Sequence, residues 1–230
     1  MRGIWIFILA GASAAGTAQA GPWAQPPGHI YVRSLVSAER LNQADGWRGD
    51  LYAEYGARSR WSLSGKLEAV RYDGESSGDR ESYRVGLRRE LWSGASGWSI
   101  GAELAALNGS ALAGLRGCNG WGGEARLSAG RSGLNKGRPY YIFADVAAIS
   151  HDDGCTRQRL DLGFGTDIGR RFFTMQQLWI ENGNYTADSV KIDTQYGYHF
   201  RAFDLSIGYR HELGGEFKEH AVLAGITVRK

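Results

Sequence analysis

The stretch Trp47–Trp61, WRGDLYAEYGARSRW, alternates residue by residue. Trp47, Gly49, Leu51, Ala53, Tyr55 and Ala57 are apolar or small, and Arg48, Asp50, Tyr52, Glu54, Gly56 and Arg58 fall between them. Side chains on an extended strand point to opposite faces with a period of two. One face of this strand must therefore meet apolar material and the other a polar environment. A soluble sandwich would supply a second sheet; a membrane would supply lipid.

The same alternation runs along the chain: Ile30–Val36, Trp61–Ala69, Tyr83–Leu87, Trp98–Ala106, Trp121–Ala129, Tyr140–Ala148, Leu160–Ile168, Val190–Tyr198, Phe203–Tyr209 and Val222–Val228. The segment Arg171–Asn182 is long enough for a strand but mixed on both faces. Together these make twelve strands of about ten to thirteen residues, the length a tilted strand needs to cross a bilayer. Sandwich strands usually run to about five or six residues. An even number returns both termini to one side. The fold class expected is all-β: a single antiparallel up-and-down transmembrane β-barrel of about 12 strands, with a periplasmic β protein as the alternative.

The N-terminus sets the compartment. MRGIWIFILAGASAAGTAQA carries one early charge, an apolar run, and Ala18-Gln19-Ala20 before Gly21, the pattern of a cleaved secretory signal peptide. The expected organisation is residues 1–20 signal peptide, 21–28 a short periplasmic lead-in, and 29–230 the barrel. The proline-rich GPWAQPPG could be a plug, a partner-binding tail or a simple lead-in, and lead-in is the expectation. After the leader no apolar run reaches the length of a transmembrane helix. Glycine at 34, proline at 4, and 8 Trp with 11 Tyr suit strands and turns. A formal charge of +3 without a basic cluster gives no footprint for nucleic acid.

With the N-terminus periplasmic, turns on that side fall near Ser59-Arg60, Ser93–Gly97, Ser132–Gly137, Gly169-Arg170 and Arg201. External loops fall near Arg40–Gly46, Gly74–Asp79, Gly109–Gly120, Ser150–Thr156, Gly183–Ala187 and Gly214–Phe217. Cys118 and Cys155 land on consecutive external loops, and a cysteine pair in an exported chain is most simply a disulfide. Aromatic girdles are expected from Trp61, Trp98, Tyr140, Phe172, Phe200 and Phe203 at one end and from Trp47, Tyr72, Trp121, Trp179 and Tyr209 at the other.

Across residues 21–230 this pattern resembles bacterial outer-membrane β-barrel proteins. GPWAQPPGHIYV and LYAEYGARSRWSL are similar to the opening and the Tyr-Gly turn region of porin-like proteobacterial barrels. The resemblance implies the outer membrane of a Gram-negative bacterium, reached through the secretory pathway. It implies outer-membrane lipid, lipopolysaccharide and the barrel-assembly machinery as partners, with a small solute as a further one and no cofactor. Such barrels usually end in an aromatic residue, whereas this chain ends GITVRK.

The polar face supplies the candidate lumen: Arg48, Asp50, Glu54, Lys66, Glu68, Arg84, Arg88, Glu90, Glu103, Glu124, Arg126, Asp145, Asp161, Asp193 and Arg210. The signs nearly balance, which points to a narrow, weakly selective porin-like channel; a non-conducting envelope barrel is the alternative. An outer-membrane hydrolase is the third reading, and it lacks a nucleophile motif around His29, His151, His199, His211 or His220. No metal centre is expected. In the final hairpin, a turn at Gly214–Phe217 sets His211 opposite His220, too few ligands for tight binding on their own.

Overall fold

The computed structural model describes residues 21–73, 79–110, 118–185 and 188–230. The expected leader, residues 1–20, lies outside them, as do parts of three loops. The elements are β1 (Ile30–Leu41), β2 (Ala44–Arg58), β3 (Trp61–Tyr72), β4 (Arg80–Ser93), β5 (Trp98–Asn108) and β6 (Trp121–Asn135). They continue with β7 (Arg138–His151), β8 (Thr156–Asp167), β9 (Phe172–Gly183), β10 (Ser189–His199), β11 (Asp204–Gly215) and β12 (Glu219–Arg229).

Each strand pairs antiparallel with its sequence neighbours, and β12 pairs with β1, so the sheet closes into a barrel without a free edge. Closure satisfies every strand's hydrogen-bonding groups within the sheet, which is the condition for sheet structure in hydrocarbon. The last strand is not displaced despite its non-aromatic end. Ile226 faces Ser34 on β1, and the Ile30 N–H donates to the Lys230 carbonyl at 2.7 Å.

The distribution of side chains is inverted relative to a soluble protein. Leu104, Ile207 and Val85 are 71%, 70% and 66% exposed on the outside, while Glu54, Arg88 and Asp145 are 2%, 3% and 1% exposed within. A continuous apolar exterior of this kind is hidden only by lipid or protein. Phe172, Tyr198, Phe200 and Phe203 form a chain of ring contacts, 4.7–5.1 Å between centroids, at the end bearing the termini. Arg89 lies 5.0 Å over the Trp61 ring at the same end.

Two girdle expectations are corrected. Tyr72 is 7% exposed and faces inward, where its hydroxyl donates to Glu39 at 2.8 Å. Trp179 lines the internal cavity. The expected loop Arg40–Gly46 shrinks to Asn42-Gln43, because β1 and β2 continue pairing to Leu41 and Ala44. Asn42 takes φ 55°, a left-handed value that asparagine tolerates in a tight hairpin.

At the end away from the termini, Leu41, Val70, Tyr72 and Phe217 form a buried cluster. Phe217 comes from the β11–β12 turn and packs inward against Leu41, Val70 and Tyr72 at that mouth. Cys118 and Cys155 are joined in a disulfide, with Cα atoms 5.3 Å apart. It links the segment before β6 to the β7–β8 turn. Asp153 fastens the same junction: its carboxylate accepts from the backbone N–H groups of Cys155 at 3.0 Å and Asn119 at 2.9 Å. Desolvation pushes this carboxyl's pKa up, but the N–H donors outweigh it and hold it below the usual range. Its contribution to stability is therefore present above the unfolded carboxyl's pKa and is lost as pH falls through the folded value.

The unreduced protein is expected to show no maleimide-reactive thiol when unfolded. Replacing both cysteines by serine should cost no more than about 3–4 kcal/mol, the chain-entropy figure for such a loop, because the barrel already holds both ends near one another. Free thiols in the unreduced protein would contradict the linkage.

Candidate functional site: the ion-paired lumen

Inward positions along the strands carry the charges, and the register decides which of them meet. Arg88 on β4 lies directly opposite Glu103 on β5, and Arg126 on β6 lies opposite the same glutamate. Arg88 donates to Glu103 at 2.8 Å and to Glu54 at 3.1 Å. Arg84 bridges Glu103 and Glu124 at 2.8 and 3.0 Å. Arg126 reaches Glu124 and Asp161, each at 2.8 Å, and Asp145 at 3.3 Å; Arg159 holds Asp161 at 2.6 Å. An alternating chain of charge thus runs around the wall from β2 to β8.

A second chain runs from β10 through β12 and β1 to β3. Lys66 bridges Asp50 at 2.8 Å and Glu68 at 3.3 Å, and Arg48 bridges Glu68 at 2.6 Å and Glu39 at 2.7 Å. Glu219 receives Lys191, with Arg210 at 3.2 Å and Arg48 at 3.9 Å. Arg210 lies 3.8 Å from Asp193. Like charges that the register sets opposite each other are relieved from the next strand position. Lys66 relieves Asp50 and Glu68, and Arg126 relieves Asp145 and Asp161. Lys191 reaches both Glu219 and Glu212, the latter at 4.0 Å.

Of the fifteen residues singled out in the sequence, the structure brings fourteen into these two chains. Glu90 stays apart near the terminal end, its N–H bonded to the Arg60 carbonyl. Sequence reasoning missed Glu39, Glu212, Glu219, Arg157, Glu181 and Trp179. Each keeps the inward parity of its strand, so extending the period-two count would have found all but the two on the mixed strand β9.

The walls leave a cavity of about 300 Å³. Both signs line it, with Asp50, Glu68 and Glu181 at its surface, while the side chains of Glu39, Glu54, Asp145 and Glu219 are 0% exposed. Lys66 and Arg159, at 33% and 30%, are the most open charges of the two chains. Trp179 stands between Arg159 and Arg210, whose guanidinium carbons lie 5.9 and 5.6 Å from its ring centre.

The segment 21–28 does not hang free below the barrel. Gly21, Pro22 and Gln25 are buried. The Gln25 N–H donates to Ser62 Oγ at 2.7 Å, and the Trp23 ring meets Tyr141 edge-on at 6.5 Å. Inward glycines make the room. A Cβ on Gly101 would stand 2.7 Å from the Pro22 carbonyl oxygen, and one on Gly130 would stand 2.8 Å from the Trp23 ring. The segment therefore occupies the mouth at the terminal end, against Ser62 on β3, Gly101 on β5, Gly130 on β6 and Tyr141 on β7.

No protein-family model matches the chain, and no curated protein matches it. Solved structures do. The NanC porin is similar with a TM-score of 0.61 at 12% identity, covering 85% of this chain and 98% of that one. The KdgM porin in complex with disordered oligogalacturonate gives 0.58 at 9% identity over 85% and 98%. An outer-membrane channel from Pseudomonas putida F1 gives 0.58 at 12% over 93% and 99%. The chain has the twelve-stranded, all-antiparallel barrel fold of these outer-membrane porins and channels.

Deleting residues 21–25 is expected to leave the barrel folded and, if the barrel conducts, to raise its single-channel conductance severalfold. Equal conductance with and without the segment would show that it does not set the narrowest point.

Proposed function

We propose that the chain is a passive outer-membrane channel for small hydrophilic solutes, with both termini on the periplasmic side. The observation that carries this reading is the polar cavity inside a closed barrel whose exterior is apolar. Such a barrel sits in lipid and offers a hydrated path only through its middle. The short turns Ser59-Arg60 and Lys136-Gly137 lie at the end bearing the termini, where periplasmic turns belong. No chemistry on a substrate is invoked.

Pairing weakens the field of the lumen, so selectivity is modest. Its sign follows the two most open side chains, Lys66 and Arg159, and favours small anions. The KdgM complex with oligogalacturonate supports a carboxylated solute in a barrel of this architecture. A second reading, a non-conducting envelope barrel, draws on the buried segment 21–25 and on Phe217 at the other mouth.

Planar-bilayer recording on the folded mature chain separates the two. The channel reading expects discrete conductance steps and a weak anion preference. It expects Lys66→Gln with Arg159→Gln to move the reversal potential toward cations. Absence of steps, in the full mature chain and in the chain lacking 21–25, would establish the non-conducting reading.

A further inference from the structure

We infer that the β11–β12 hairpin carries a binding site for one borderline divalent cation, of the Zn²⁺, Cu²⁺ or Ni²⁺ class, on the outer surface of the barrel. His211 and His220 lie directly opposite each other in the ladder. Their Nδ1 atoms are 3.0 Å apart and their rings 4.4 Å centre to centre. The Tyr209 hydroxyl lies 2.7 Å from the same His220 nitrogen. The Tyr209 hydroxyl and His211 Nδ1 therefore both lie within 3.0 Å of His220 Nδ1, outside the wall on two adjacent strands.

Hydrogen bonding alone does not use this arrangement fully. A neutral imidazole offers at Nδ1 either one proton or one lone pair. If His220 Nδ1 carries the lone pair, His211 and Tyr209 compete to donate to it. If it carries the proton, it donates to only one of them. A cation uses all three. Two metal–nitrogen bonds of about 2.0–2.1 Å place their nitrogens roughly 3–3.4 Å apart, close to the spacing already present. Two imidazoles and a phenol match the donor set of borderline transition metals, and not that of Mg²⁺ or Ca²⁺, which take all-oxygen shells.

The surroundings permit the charge. Arg40, opposite His220 on β1, is bound to Asp45 at 2.6 Å, so its guanidinium is already neutralised. On the other side His211 meets Ile192 of β10. His220 is the second residue of β12, beside the outward ion pair Arg40–Asp45 at the rim beyond the apolar belt, and there water can complete the shell. The site is separate from the lumen, whose charges lie on the opposite face of the same strands, and it does not rest on the channel reading.

Calorimetric titration of the refolded protein in detergent tests the site with zinc chloride, copper(II) chloride and magnesium chloride as probes. The expected result is one Zn²⁺ per chain, tighter Cu²⁺ binding by the usual metal order, and no Mg²⁺ binding. His211→Ala and His220→Ala should each weaken Zn²⁺ at least tenfold and Tyr209→Phe severalfold, while His29→Ala leaves it unchanged. Heat-modifiability on gels checks that every variant remains a folded barrel. Absence of Zn²⁺ binding in the wild type, or equal affinity in the wild type and both histidine variants, would overturn the site.

Discussion

Arg88 is held between Glu54 and Glu103 in a wall backed by hydrocarbon-facing side chains, and the interior is built from repetitions of that unit. A charge in such a place is tolerated only when paired and hydrogen-bonded. The closed ladder makes the requirement strict. Once the outward face is given to Leu104, Val85 and Ile207, the alternate positions all point into one narrow space. Register then does the pairing: opposite residues supply one partner, and diagonal residues relieve like charges such as Asp145 and Asp161.

On the proposed channel reading, the same geometry governs what passes. Carboxylates and guanidinium groups line the wall in pairs, so the cavity presents mostly neutralised charge. Lys66 and Arg159 are the points at which a passing solute would meet a partly open cation. The N-terminal segment narrows the path further, and it fits because Gly101 and Gly130 offer no side chain where it lies. The account therefore links channel width to two glycines and a short proline-containing strand of chain, and links selectivity to two residues on opposite strands of the wall.

Much of the barrel was legible in the sequence because hydrophobic alternation is a local signal. Leu51, Ala53 and Tyr55 separate from Asp50, Tyr52 and Glu54 without knowledge of any partner. The failures occur where the environment changes along a strand. Beyond the apolar belt the polarity inverts: Arg40 turns outward to Asp45, while Leu41 turns inward beneath Phe217. The expected alternation stops at Val36 and the expected loop starts at Arg40, so Glu39 falls between them. Trp179 misled for a related reason, since an aromatic ring suits both a girdle and a cationic cavity. The packing of 21–25 was not legible, because inward glycines on distant strands create its place and no local pattern reports them.

The central claim is that the inward charges stand by mutual pairing. Urea unfolding of the refolded barrel in lipid vesicles tests it at Arg88. Arg88→Met alone should cost about 3–5 kcal/mol, the penalty for leaving buried carboxylates without their cation. Combining it with Glu54→Gln and Glu103→Gln should recover most of that loss. Costs that simply add across the three substitutions would contradict the account.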